Sequence, residues 1–321
     1  MAVALRNFCY DKHLLRSYRA DVPVISVGNI TTGGTGKTPL VIWLGGLLEK
    51  KSIKCAVLTR GYKAQSGKFA DEPAILAKSC PAAKVIVNPD RVSAANKAVR
   101  DFGVKVLVMD DGFQHRKLRR DLDIVAIDAT CPFGYGRMLP AGLLREPAKA
   151  LRRADAVVIT RYDQATAQQV EQIEKDIEKI TPGITIAKAT HKHPYARMIK
   201  GETLSIAQLK EKAIFAFCGI GNPGAFLNHL KESGLNVVGS KVYNDHHNYT
   251  QADISDVYEE AKNLASDLIL STQKDWIKTA LLSQQNDGIL FAYLALELEF
   301  IGGADKIEAL VDKAIAKRLD D

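Results

Sequence analysis

Short apolar runs alternating with amphipathic stretches set the first expectation. VPVISV (22–27), KCAVLT (54–59), AKVIV (83–87), KVLVMD (105–110), DIVAID (123–128) and ADAVVIT (154–160) are rich in β-branched and aliphatic residues. Such near-continuous runs suit strands buried on both faces, the condition of a parallel sheet. Helical patterns begin between them near Thr38, Glu72, Arg91 and Glu146. Val170, Ile173, Ile177 and Ile180 then recur at helical spacing and predict another covering helix. The fold class is therefore α/β, a mostly parallel sheet covered by helices.

After Thr181-Pro182-Gly183 the pattern loosens. It resumes with IFAFCGI (214–220), LNVVGSKVY (235–243), LIL (268–270) and ILFAYLAL (289–296), with helices from Pro223, Gln251, Lys274 and Asp305. This predicts a second, smaller α/β domain, with residues 1–190 in the first and 191–321 in the second. No repeat of fixed period and no low-complexity tract interrupts the chain.

Composition narrows the class. The 321 residues are 46% hydrophobic and 25% charged, which excludes collagen, coiled coil and wholesale disorder. A net charge of +7 favours an acidic partner: phosphate, nucleic acid or an anionic membrane face. Five cysteines without a CxxC pair argue against a disulfide framework or zinc knuckle and for a reducing cytosol. No apolar run approaches the ~20 residues of a spanning helix. The N-terminal MAVALRNFCYDKHLLRSYR is too interrupted for a signal peptide, yet its basic and apolar mixture permits a helix lying on an anionic surface.

The strongest local signal is GNITTGGTGKT, an apolar strand running into a glycine-rich turn before a helix. There, backbone N–H groups and a helix N-terminus hold polyphosphate. Thr31, Thr32, Gly33, Gly34, Thr35, Gly36, Lys37 and Thr38 form this candidate nucleotide loop. The glycines admit the anion, Lys37 reaches β- and γ-oxygens, and the Thr38 hydroxyl suits magnesium. Thr31 stands where the strict GxxxxGK[ST] pattern has its first glycine.

A P-loop also needs an acidic residue at a neighbouring strand end, and Asp110 and Asp111 follow the KVLVM run directly. The dense polar stretch after them, from Gln114 and His115 to Arg120, is either a solvated face or a site for an anionic acceptor. The NKxD signature of GTPases is absent, since QKDW (273–276) lacks its spacing. Two clusters, ADEP with Asp71 and Glu72 and NDHHNYT with Asp245, His246 and His247, remain unassigned by spacing alone. Nothing here interleaves aromatic and basic residues as an RNA-binding surface does, so nucleic acid drops out.

GNITTGGTGKTP, TRGY, ADEP, PDR, DDGFQH, LPAGLLREP, RRADAVVIT, FCGIGNP and DHHNYT occur in this order. Together they resemble the tetraacyldisaccharide 4'-kinase family, P-loop kinases of lipid A biosynthesis, from about Arg6 almost to the C-terminus. The resemblance implies transfer of the ATP γ-phosphoryl group to the 4'-hydroxyl of tetraacyldisaccharide 1-phosphate, giving lipid IVA. It implies ATP and Mg2+ as cofactors, and a peripheral place on the anionic cytoplasmic face of a Gram-negative-type inner membrane. By motif, Asp71 is the base for the sugar hydroxyl, paired with His246 from a smaller domain that closes over the site. Lys37 and Thr38 serve triphosphate and metal, Glu72, Asp110 and Asp111 belong to the metal shell, Arg145 clamps a phosphate, and Gln114 and His115 line the cleft. The alternatives are a kinase of another sugar or nucleoside and a regulatory P-loop ATPase. Three features depart from the family: Ala70 where glycine commonly precedes DEP, Gln273 where T-E-K-D has its glutamate, and a shorter amphipathic N-terminal stretch.

Overall fold

The computed structural model describes residues 2–61, 71–199, 201–282 and 288–319. In chain order the first elements are α1 (Ala2–Asp11), β1 (Val24–Gly28), α2 (Lys37–Lys50), β2 (Cys55–Thr59), α3 (Asp71–Ser79), β3 (Lys84–Val87), α4 (Arg91–Phe102) and β4 (Val106–Asp110). They continue with β5 (Leu122–Asp128), β6 (Ala156–Thr160), α5 (Ala167–Ile180), β7 (Thr185–Lys192), β8 (Tyr195–Met198), β9 (Thr203–Ser205), α6 (Ile206–Lys210), β10 (Ile214–Cys218) and α7 (Pro223–Glu232). The last are β11 (Val237–Val242), α8 (Gln251–Asn263), β12 (Leu268–Thr272), α9 (Gln273–Thr279), β13 (Leu290–Leu294), β14 (Glu297–Gly302) and α10 (Ala304–Leu319).

The apolar runs become the strands they predict. An eight-stranded sheet has the order β14-β7-β6-β5-β1-β4-β2-β3, and every pairing from β7 through to β3 is parallel. β1, β2, β4, β5 and β6 are buried at every position, as strands covered on both faces must be. Ile25, Val27, Val106 and Val108 share one apolar cluster with Leu40, Leu44 and Leu48 of α2. Local signals mark helix starts: the Asp90 carboxylate accepts from the Val92 N–H at 3.1 Å, and Thr166 with Gln169 forms a capping box on α5.

Two compact units divide the chain. The first includes residues 2–61, Leu76–His191 and the chain from Leu298 onward; the second includes residues 71–75, so that Asp71 and Glu72 fall with it rather than in the expected 1–190 domain, and Lys192–Glu297. The second is built on a six-stranded sheet, β11-β10-β12-β13-β8-β9, parallel through the first four strands and antiparallel at β8 and β9.

Two further expectations change. Residues 191–321 do not all belong to the second unit, because β14 is an edge strand of the first sheet beside β7. Leu298 together with Ile307, Val311 and Ala314 of α10 enters the cluster that contains Ile25 and Leu40, and Trp43 meets the Phe300 ring at 4.6 Å between centroids. The stretch from Glu146 makes only a six-residue 3-10 turn, Ala148–Arg153. With Pro147 in front and β6 starting at Ala156, the connection has no room for a capped α-helix.

Glycines at two sites test the packing. A Cβ on Gly28 would lie 2.5 Å from Phe113 Cβ and 2.7 Å from its backbone nitrogen, whereas one on Gly46 of α2 meets nothing within 4 Å. Gly28→Ala is expected to lower stability to urea by about 1–3 kcal/mol. Gly46→Ala is expected to raise it by up to about 1 kcal/mol, since alanine is the better helix former.

Candidate active site

β1 delivers the chain to the glycine-rich turn in a fixed posture. Asn29, Ile30 and Thr31 stay buried after the strand ends, and Gly33 and Gly36 then take φ of 102° and 78°, left-handed values that favour glycine. α2 opens at Lys37 with no side-chain cap on Gly36. Its first N–H groups thus keep the arrangement that binds anions. Thr38 is half-buried in that first turn.

Buried polar contacts hold the turn from both sides. Asn29 Nδ2 donates to Thr35 Oγ1 at 2.9 Å, and Thr160 Oγ1, from the end of β6, donates to the Thr35 carbonyl at 3.0 Å. Arg161 pairs with Asp128 and donates to the Gly34 carbonyl. Opposite them, Thr32 N–H donates to the Leu143 carbonyl at 2.7 Å and Arg145 N–H to the Ile30 carbonyl at 2.7 Å, while Thr31 bridges to Leu144. Thr31, Thr32 and Thr35 therefore help build the turn, and the exposed backbone belongs to Gly33 and Gly34.

The acidic pair stands at the end of β4, beside β1. Asp110 is 4% exposed and accepts from Thr59 Oγ1 at 3.2 Å. Asp111, on a left-handed backbone at φ 52°, receives Arg145 Nη1 and Nη2 at 2.6 and 2.9 Å, and Lys37 Nζ stands 3.7 Å from the same carboxylate. Arg145 Nη1 also donates to Asn29 Oδ1 at 3.0 Å, and Gln114 Nε2 donates to the Asn29 carbonyl at 2.8 Å. Asn29 thus joins the turn, the arginine and the glutamine. Gln114 Oε1 and His115 Nδ1 are buried without a hydrogen-bond partner among the described residues. Burial, and then Arg91, holds the His115 imidazole below its usual range, so it is neutral at pH 7.

A carboxylate with two cations beside a glycine turn at a helix N-terminus is equipment suited to phosphoryl transfer. A family profile described as "LpxK: Tetraacyldisaccharide-1-P 4'-kinase" matches residues 1–316. The chain belongs to the tetraacyldisaccharide 4'-kinase family. A tetraacyldisaccharide 4'-kinase of Chlorobaculum parvum (strain DSM 263 / NCIMB 8327) is 36% identical over 337 aligned positions, covering 96% of this chain and 90% of that one. That of Syntrophus aciditrophicus (strain SB) is 38% identical over 307 positions, covering 87% and 81%. The crystal structure of the "apo" form of LpxK from Aquifex aeolicus in complex with ATP is 31% identical, covers 98% of this chain and 95% of that one, and superposes with a TM-score of 0.77.

Of the residues expected from the motifs, Lys37 and Arg145 meet at Asp111, Arg145 and Gln114 bond to Asn29, and Asp110 precedes Asp111 at the end of β4. Glu72 is exposed in the first turn of α3. Asp71 opens that helix, and its side chain lies outside the described residues. In the second unit His246 is half exposed, with Nε2 3.9 Å from Asp245 Oδ2. Its N–H donates to the Gly219 carbonyl at 3.1 Å.

Sequence reasoning missed Asn29, Asp128, Arg161 and Glu146. Glu146 is fully buried and accepts from Asn7 Nδ2 at 2.9 Å and Arg153 Nη2 at 2.7 Å. Arg116 donates to the Asn7 carbonyl at 3.0 Å and pairs with Asp11 at 2.7 Å. The residue after Arg145 and the second residue after Gln114 therefore anchor α1. Only a carboxylate directly inside a motif, LREP, hinted at this.

Burial pushes the Asp111 carboxyl up, but Arg145, with Lys37 and Arg91 behind it, outweighs burial and holds it below its ordinary value. The ionised form therefore adds stability at neutral pH, and that share is lost as pH falls from the unfolded value of about 3.9 through the folded one. In Arg145→Ala, an NMR titration should find the Asp111 pKa raised by about one unit. An unmoved value would show that the ion pair does not hold the carboxylate.

Proposed function

We propose that this chain transfers the γ-phosphoryl group of ATP to the 4'-hydroxyl of tetraacyldisaccharide 1-phosphate, forming lipid IVA and ADP. The observation that supports it best is the convergence of Lys37 and Arg145 on Asp111 at the mouth of the glycine turn. Two cations placed there balance the charge of the transferred group, and phosphoryl transfer depends chiefly on such positioning and charge stabilisation.

Magnesium fits the donors at hand. Thr38 offers a hydroxyl, and Asp110 and Asp111 offer hard carboxylate oxygens at the end of β4. Glu72 is assigned to the same shell by motif. When bound, the ion neutralises charge on the β- and γ-phosphate oxygens. The protein does the rest: the turn orients the triphosphate, Lys37 and Arg145 hold the γ-group, and Gln114 and His115 orient the acceptor. Asp71, paired with His246, accepts the proton of the 4'-hydroxyl as its oxygen bonds to phosphorus and the bond to the ADP oxygen breaks. Domain closure on substrate binding is the motion that this division of labour asks for.

The acceptor is a lipid, and we assign α1 and the residues after it to the anionic cytoplasmic face of the inner membrane. Leu5, Phe8 and Leu14 are 63%, 52% and 70% exposed, with Lys12 and Arg16 exposed among them, a mixture suited to lying in an interface. No helix of the described residues is long and apolar enough to cross a membrane.

With radiolabelled ATP and tetraacyldisaccharide 1-phosphate, the wild type is expected to yield labelled lipid. Asp71→Ala and His246→Ala should lose about 10²–10⁴ in kcat, the usual worth of a general base, with ATP binding retained. Absence of labelled lipid from the wild type would refute the assignment. For the membrane, Phe8→Glu with Leu14→Glu is preferable to deleting α1, which would take Asn7 from the buried Glu146. Burying a large apolar side chain is worth about 1.5–3 kcal/mol, so co-sedimentation with anionic vesicles should weaken at least about tenfold. Equal sedimentation would remove this face from the membrane account.

A further inference from the structure

QKDW, set aside by the GTPase comparison, has a defined place in the second unit. Asp275 is fully buried. Its Oδ1 accepts from Tyr249 Oη at 2.9 Å, and its Oδ2 accepts from Thr272 Oγ1 at 2.6 Å. A carboxylate taken wholly out of water is costly unless its lone pairs are met, so such a pair at the root of an otherwise exposed loop calls for a reason.

The reason lies three residues back along the chain. His246 has φ 60°, a left-handed backbone that a non-glycine residue keeps only when its surroundings over-determine it. Its N–H is held by the carbonyl of Gly219. At that same glycine, a Cβ would come within 2.8 Å of Tyr249 Oη and 3.3 Å of Asp275 Oδ1. FCGIG, DHHNYT and QKDW therefore meet at one residue, whose carbonyl fixes the histidine and whose missing side chain admits the tyrosine hydroxyl.

The Tyr249 ring is fixed as firmly as its hydroxyl. It packs edge-on against Phe217 at 5.7 Å, Tyr243 at 5.1 Å and His247 at 4.9 Å between centroids. His247 stacks on Tyr243 at 4.7 Å, and its Nε2 lies 3.2 Å from Asp253 Oδ2. Burial, and then Asp275, pushes the Tyr249 phenol well above its usual range, so it is protonated and a donor at neutral pH.

We propose that the buried Tyr249–Asp275 hydrogen bond is the positioning device for His246, locking the 244–250 loop in the conformation that aims the histidine. The inference rests on the catalytic role given to His246 above. Tyr249 and Asp275 touch no substrate; they act through the loop.

Tyr249→Phe tests it, because the ring and its packing remain and only the hydroxyl is lost. Thermal unfolding should stay cooperative, the KM for ATP should stay within about twofold, and kcat should fall by about tenfold to a hundredfold, the range for a displaced catalytic group. The His246 amide should lose hydrogen-exchange protection, a readout that needs no substrate. Because both residues serve one function, Tyr249→Phe with His246→Ala should be no slower than His246→Ala alone. Asp275→Asn, which keeps the side-chain shape, should behave as Tyr249→Phe does. Wild-type turnover in Tyr249→Phe beside a crippled His246→Ala, or losses that multiply in the double variant, would overturn the positioning role. Wild-type turnover in His246→Ala would instead sink the general-base assignment on which it depends.

Discussion

The parallel register of β1 with its neighbours is the constraint on which the candidate nucleotide site depends. Val27 lies opposite Asp110 on β4, and on the other side β1 pairs with β5, whose Asp128 lies opposite Thr160 on β6. Strands that run the same way end at the same edge. A glycine turn leaving β1 therefore finds Asp110 and Asp111 on one flank and Asp128, Thr160 and Arg161 on the other. Ligands of open α/β sheets bind at this carboxyl edge for the same reason. The sheet's buried interior supplies rigidity, and the edge supplies the chemistry.

Much of this was legible in the chain. The strands are apolar because both sheet faces are covered, and GGTGKT is recognisable because close approach to polyphosphate needs glycine and a lysine at fixed spacing. Asp110 and Asp111 were found from their place directly after an apolar run. Asn29 was not, although it links the turn to Arg145, 116 residues away, and to Gln114, 85 residues away. Bonds closed by tertiary folding leave no local period to read. Arg161 escaped for the same reason, since its partners Asp128 and Gly34 come from other strand ends. β14 was recognised neither as a strand nor as part of the first sheet, because an alternating run of residues does not say which edge it will join.

The second unit is organised by a different principle. Its best-defined chemistry is a knot of aromatic rings and carboxylates under an exposed histidine, where His247, Tyr249, Asp253 and Asp275 satisfy one another. In the first unit a buried carboxylate, Glu146, is met by Asn7 and Arg153. Both cases spend desolvation to fix an adjacent polar segment, Arg145 in one and His246 in the other, and partial satisfaction of either network would be worse than an apolar replacement.

The return of β14 and α10 to the first sheet has a consequence for synthesis. Strands β10 to β13 and their helices are all present in the chain before the edge strand and the last helix that cover Ile25 and Leu40. On a ribosome, the second unit's sheet can be complete while the first still waits for the segment that begins at Leu298. Completion of the first unit therefore follows synthesis of the second, with its contacts of greatest sequence separation closing last. A nascent chain stalled near residue 297 would leave the flank of β7 unpaired and the Trp43 ring of α2 without Phe300.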